Sequence, residues 1–569
     1  TYTSTPVAGG DVWCIDSIAL NGVAETTDPT DASDVADPSD PSDQADTSDP
    51  SAGEDPSDAT DATNPGAPAG PYAFDSLFNE GESSVSYSGQ IARHVLINEV
   101  KALIGAIDPA TTTYVAGDVF AILNGIYQHD WTVVPELPFT SLTGNDLQTN
   151  LDEISTNKKL VNKMAGNDSP GWTQDWAGWA TAMPDGTGAT AVPGSPDAFA
   201  QAMFHMLDDL AVLHSNGTPP LDHEGNAITK AFVDANGVDW QQMAQKFLLG
   251  AVAFSQGTND YLYKIAGVPG DDGVIDDSTA KQNSAPDGDG KAYTSMEHYW
   301  DEAFGYFGAA ADYHLYTDAE IAGKGGRDDW QKYHDTDGDG KINLKSEYNF
   351  GHSQNAAKRD LGSAGVEGGV AYDMTGDVFG AFMEGRTFIT SVGADLNAEQ
   401  LETLRGYIDT VQSGWEKAIA ATVIHYINDT LGDMAEYGTD DYSFYSHAKH
   451  WSELKGFAMG LQFNPASPMH NELASYCYEG MGVINTEATE AECTCASCSW
   501  NPAETAFERF HRKVGDAPVI GSSAMGSMGP VDGAAYGYAS QLGSALNVMV
   551  TAYGLSLIHI SEPTRQSLI

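Results

Sequence analysis

The chain has 569 residues, with 26 Lys+Arg against 81 Asp+Glu and a formal net charge of −55. Such a field repels nucleic acid and anionic lipid surfaces; it suits cations, salt-rich water and solubility. No run of roughly 18 apolar residues occurs, so no transmembrane helix is expected.

The chain begins at Thr1 without a methionine. It reads as a fragment or mature form from which an exporting signal has been removed, and a lipid anchor upstream is compatible with it. Residues 1–24 carry Cys14 beside Trp13 and Ile15 and read as the tail of an upstream region. Residues 25–70 collapse to Asp, Pro, Ser, Ala and Thr, with repeats such as DPSDPSD, and no Lys or Arg precedes Arg93. Such a segment cannot bury enough apolar surface to offset its ordering entropy, so it reads as a disordered acidic linker. Its scattered aspartates fix no ligand geometry, which favours a spacer over a calcium site.

A helical domain is expected over 71–554. In 87–105, Ile91, Val95, Val100 and Leu103 make a helical stripe, with Ser88 as the expected cap. Further helices are predicted over 115–127, 147–164 and 197–214. Another covers 240–254, with Trp240, Met243, Phe247, Ala251 and Phe254 on one side. A Gly/Asp-rich loop follows over 267–290. Residues 296–308, MEHYWDEAFGYFG, return to helical spacing through Trp300, Phe304 and Phe307. There His298, Asp301 and Glu302 stand at i, i+3 and i+4 and share a face.

Residues 325–362 read as a connection that carries DTDGDGKINLKSE. Asp335, Asp337 and Asp339 are spaced as positions 1, 3 and 5 of a calcium loop, Gly340 as the turn, the Lys341 carbonyl as position 7 and Asn343 as position 9. Position 12 is Ser346, and Glu347 comes one residue late. The expectation is a calcium site of structural role held by Asp335, Asp337, Asp339, the Lys341 carbonyl, Asn343 and Glu347; the alternative is an acidic glycine turn without metal.

The longest predicted helix, 398–428, follows Asn397 as its cap. Residues 447–460, HAKHWSELKGFAMG, then echo the earlier block: Trp300 to Tyr306 align without a gap on Trp451 to Phe457. His447, His450 and Glu453 fall within about a third of the helix circumference. Strand periodicity is scarce. The reading is an all-α, duplicated helical bundle with halves of about 71–310 and 370–554. Cys477, Cys493, Cys495 and Cys498 suggest two local disulfides of an exported protein, with pairing open; a zinc site of four thiolates is the alternative. Residues 555–569 read as translated sequencing adapter and carry no fold argument.

The blocks YSGQIAR (87–93), MEHYWDEAFGYFG (296–308), NAAKRD (355–360), AFMEGR (381–386), WEKAIAATVIHYIN (415–428) and HWSELKGFAMGLQFNP (450–465) resemble an uncharacterised bacterial family grouped with the imelysin-like proteins. The resemblance spans roughly 72–554. It implies an exported or lipid-anchored protein of two related helical bundles, tied to iron acquisition and named in relatives as a peptidase. The shared His-x-x-Glu mark falls on His450 and Glu453; the first copy departs, with Asp301 at that position after His298.

The chain has no His-Glu-x-x-His, no Gly-x-Ser-x-Gly and no phosphate-binding glycine loop. Binding therefore leads over catalysis. The expected function is an exported or surface-anchored protein, periplasmic, outer-membrane-anchored or extracellular, that binds a metal ion or small iron-bearing ligand. His298, Asp301, Glu302, His450 and Glu453 would converge between the halves, with His447 nearby, around a transition metal such as iron. A metal-dependent hydrolase and a structural surface module are the alternatives. The bland reading of the same residues is a buried polar network that specifies packing.

Overall fold

The computed structural model describes residues 70–142, 147–167, 176–264, 273–276, 280–364, 372–480, 483–495, 498–520, 530–531 and 535–555. The expectations for 1–24, for the acidic linker up to residue 69 and for 556–569 lie outside the described residues. The fold is largely all-α. Its helices are α1 (Ser88–Gly105), α2 (Asp118–Tyr127), α3 (Pro196–Ser215), α4 (Trp240–Leu248), α5 (Ser295–Phe307), α6 (Asp318–Ala322), α7 (His352–Ala364), α8 (Met374–Val392), α9 (Ala398–Glu436), α10 (Phe444–Gly460), α11 (Ala506–Val514) and α12 (Tyr538–Tyr553).

Local chemistry starts most of these helices. Thr294 accepts from the Glu297 amide while Glu297 reaches back to the Thr294 amide, which caps α5 reciprocally. Asn397 and Gln400 do the same for α9. Ser195, Asp239 and Ser443 cap α3, α4 and α10 with one side-chain acceptor each. Ser88 does not cap α1: it is already the first helical residue, after Tyr87, and no side chain caps that end.

Residues 147–164 do not form the predicted helix. Two short 3-10 turns, Leu151–Glu153 and Val161–Lys163, bracket a stretch in which Asn157 adopts φ 61°. Ser155, Thr156 and Asn157 prefer turn geometry to a helix interior, and that local preference overrides the apolar spacing.

At 39 residues, α9 is the longest described helix, and α7, α8, α10 and α12 all pack on it. Buried side chains from both predicted halves join in one apolar cluster, from Tyr72 to Leu555. Trp300, Trp415 and Trp451 are wholly buried in it. The aligned tryptophans are anchored alike: the Trp300 indole N–H donates to the Phe382 carbonyl at 2.9 Å, and that of Trp451 to the Tyr538 hydroxyl at 2.7 Å. Burial of an indole without such a partner would leave an uncompensated donor.

Beyond Leu248, α4 continues as π-helical turns, Leu249–Phe254 and Gln256–Leu262, buried throughout. Here α4 meets α10 backbone to backbone. A Cβ on Gly250 would lie 2.6 Å from the Gly460 Cα, so a side chain at 250 would force the helices apart. Strands are short. Tyr476–Gly480 pairs antiparallel with Val483–Asn485 on one side and with Ser499–Asn501 on the other. This small sheet carries the cysteine cluster.

Candidate functional site

The acidic loop is closed at its base by an antiparallel bridge between Tyr333 and Tyr348. Leu344 and Ile342 are buried beneath it and tie it to the core. Gly340 takes φ +85°, the left-handed turn its position demands. Oxygens of Asp335, Asp337 and Glu347 come within 4.8 Å of one another. Glu347, one residue late in the sequence pattern, is thus the carboxylate that reaches the loop. It is only 3 % exposed. Its Oε1 accepts from the Thr336 amide at 2.9 Å, and its Oε2 from the Asn343 amide at 2.7 Å. Asp335 Oδ2 accepts from the Gly340 amide at 2.8 Å, and Asp339 Oδ1 from the Lys341 amide at 2.8 Å. Asn343 Oδ1 accepts from Gln148 Nε2 at 3.2 Å. Asp339 lies outside the three-carboxylate group; its side chain serves the turn.

The loop is wired into the bundle on its far side. The Ala311 amide donates to the Ser346 carbonyl at 2.7 Å, and the Phe350 amide to the Gly308 carbonyl at 2.7 Å. The residues after α5 and those leading into α7 are thereby joined through the loop. Asp312, at 4 % exposure, faces this junction. Burial, with the Glu347 charge adding to it, pushes its carboxyl up to about 6. Sequence spacing offers no reason to single out Asp312, because its partner is 35 residues away in the chain.

The six His and carboxylate residues of the echoed blocks are not gathered. Among the described residues, two groups of three or more His, Cys, Asp or Glu are close enough to share an ion, and neither contains any of the six. Each is engaged where it stands. Asp301, wholly buried, accepts from Arg386 Nε at 2.8 Å, the Tyr72 hydroxyl at 2.7 Å and the Ser86 amide at 3.2 Å. Arg386, equally buried, also pairs with Glu297 at 2.7 Å and donates to Ser84 Oγ at 2.7 Å. Glu302 accepts from Gln90 at 2.6 Å, and His298 stacks on Tyr293 with ring centroids 4.5 Å apart. His450 Nδ1 lies 2.8 Å from Asp433 Oδ2. His447 Nδ1 lies 3.2 Å from the Tyr442 hydroxyl, and burial takes its imidazole down to about 4. Glu453 lies 3.3 Å from Lys246 Nζ, both buried. The six do not meet in one group: Asp301, Glu453 and His450 pair with Arg386, Lys246 and Asp433, while His298 and Glu302 lie 3.9 Å from each other.

A cleft of about 300 Å³ opens between α9, the turn at 464–468 and the end of α12. Asp409, Ser413, Lys417, Asn464 and Tyr553 line it, with Glu416 at its floor. Glu416 is 2 % exposed. The Tyr553 hydroxyl donates to its Oε1 at 2.6 Å; Ser467 and Asn464 donate as well. Burial outweighs these three donors and raises the carboxyl to about 7. A carboxyl poised near neutrality in a concave site can accept or give up a proton as a ligand arrives. Trp415-Glu416 stands within a recognised sequence block, yet a lone carboxylate on a helix carries no signal by itself.

Residues 215–335 match the family model described as Domain of unknown function (DUF4856). The match runs from the end of α3 through α4, α5 and α6 to the first aspartate of the loop. No curated protein and no solved structure matches the chain.

Proposed function

We propose that the chain is an exported, calcium-binding helical protein that holds a small cationic or iron-bearing ligand without turning it over. The observation that carries calcium is the meeting of Asp335, Asp337 and Glu347 within 4.8 Å. Hard oxygen donors of this kind suit calcium, whereas a borderline first-row metal would draw on imidazole, and no histidine stands in this group. The net charge of −55 raises the local cation concentration. Two disulfides accord with an oxidising compartment and so with export. The imelysin-like kinship stays within this reading, supported by the six ordered sequence blocks.

The ligand site of this reading is the Glu416 cleft, which Asp409, Glu416 and Lys417 line. The test is direct. Chelator-stripped protein is titrated with calcium chloride by calorimetry, and its metal content is measured by mass spectrometry after incubation with calcium or ferric iron. One calcium per chain, lost in Asp337→Ala, is expected. No calcium heat, or iron retained in preference to calcium, overturns the calcium assignment. Thermal-shift screening of amines and iron chelates, with Glu416→Gln as the control, tests the cleft separately; a hit unaffected by that substitution removes the cleft from the proposal.

A further inference from the structure

The cysteine sheet places more sulfur together than two isolated bridges require. Cys477, on the central strand, is bonded to Cys493, and Cys495 is bonded to Cys498. The Sγ of Cys498 also lies within 4.8 Å of both sulfurs of the first bridge. Exposure divides the set: Cys495 is open to solvent, Cys493 is half-buried, and Cys498 and Cys477 are 8 % and 1 % exposed. An attacking thiolate from solution therefore reaches Cys495 before the others. Disulfides exchange by attack of a thiolate on a sulfur of an existing bridge, and access decides which sulfur is struck.

We propose that the four cysteines form a thiol–disulfide exchange unit, in which Cys495 is the entry point and Cys498 hands the exchange to the Cys477–Cys493 bridge. An external thiolate attacks Cys495 Sγ, forms a mixed disulfide with it and breaks the Cys495–Cys498 bond. Cys498 leaves as a thiolate that carries the electron pair of that bond. It then attacks Cys477 or Cys493, forms a new bridge to the sulfur it strikes and releases the other as a thiolate, which takes a proton from water. The number of disulfides is unchanged in each step. A second thiol of the reductant closes on the mixed disulfide and frees Cys495, so the net change is two electrons and two protons taken from one dithiol. The reducing partner is thus a dithiol of the same oxidising compartment. The sheet keeps one bridge throughout, while the loop segment around Cys493 can change its attachment.

The test uses the full chain. In a Cys14→Ser background, Cys495→Ser leaves three cysteines and one free thiol. After purification in air, acid quenching and alkylation with N-ethylmaleimide, peptide mapping locates the label. Exchange predicts label on Cys477 or Cys493 as well as on Cys498, together with a bridge between Cys498 and the remaining partner. Label confined to Cys498, with Cys477–Cys493 intact, overturns the proposal. Wild-type protein titrated with limiting dithiothreitol guards against a folding defect in the variant: loss of Cys495–Cys498 with a new cross-bridge supports exchange. Loss of the two bridges independently, or uptake of one zinc per chain by four retained thiols, sinks it and selects two inert bridges or a metal site.

Discussion

Asp312 stands within electrostatic reach of Glu347 at the base of the acidic loop, and both are almost completely buried. Two carboxyls removed from water in this way cannot both ionise cheaply without a cation. A cation held by Asp335, Asp337 and Glu347, as proposed, would relieve that charge.

Asp312→Asn should stabilise chelator-treated protein at pH 7.5. The folded carboxyl titrates at about 6, above the ordinary value of 3.8, so the folded state holds the proton more tightly than the unfolded one. Stability from this group is therefore present at low pH and lost as pH rises from about 4 through 6. The variant should gain roughly 1–3 kcal/mol at neutral pH. Its denaturation midpoint should also change less between pH 5 and 7.5 than that of the parent, each pH measured in chelator. A midpoint equal to the parent's at both pH values would remove Asp312 from the argument.

Calcium at a hundredfold excess over its dissociation constant should stabilise the parent by about 2.7 kcal/mol through mass action. Glu347→Gln should abolish that gain. The substitution keeps one oxygen and puts an NH2 in place of the other, so one of the Thr336 and Asn343 amides loses its acceptor, and the chelator-treated variant sets the baseline from which the calcium effect is read. Scanning calorimetry with calcium and with chelator checks it; a calcium-dependent rise that survives in the variant places the ion elsewhere.

Asp301→Asn should be among the costliest single changes. Arg386 is wholly buried and would keep only Glu297 as a full counter-charge. Breaking a buried pair from one side costs about 3–5 kcal/mol. Replacing both members, Asp301→Leu with Arg386→Met, should cost less than the sum of the single changes. Urea denaturation of the four proteins yields the coupling, and additive losses would show that the pair acts independently.

His450 should behave as a packing residue. Burial opposes its charge, but the Asp433 carboxylate prevails and holds the imidazole above its ordinary 6.5. Its contribution is therefore complete below about pH 6.5 and fades as pH rises through the folded value. His450→Ala should cost about 1–3 kcal/mol at pH 6 and less at pH 9, with ligand affinity in the Glu416 cleft unchanged. An affinity loss without a stability loss would return His450 to a binding role.

Much of the fold was legible along the chain because helices are specified by contacts three or four residues apart. The stripe of Leu404, Ile408, Val411, Trp415 and Ile419 faces the core of α9, and Asn397 caps it as its spacing with Gln400 indicates. The DTDGDG order dictates its own turn through Gly340 and the aspartate side chains. Where local preferences competed, spacing misled: 147–164 has apolar residues at helical intervals, yet Asn157 and its neighbours break it.

What the amino-acid order determined by itself was therefore periodic or local: the helical class, the caps, the acidic loop and the paired Trp-x-Glu segments. Only the tertiary structure decided the partner of each buried charge. Asp301 meets Arg386 from 85 residues away, Glu453 meets Lys246, and Glu416 meets Tyr553 from 137. It also decided that Asp339 stays out of the group formed by Asp335, Asp337 and Glu347, and that Cys498 lies beside a bridge it does not belong to. The reason is that a buried charge or sulfur interacts through space with whatever the packed helices bring to it, and that neighbour leaves no periodic trace in the sequence.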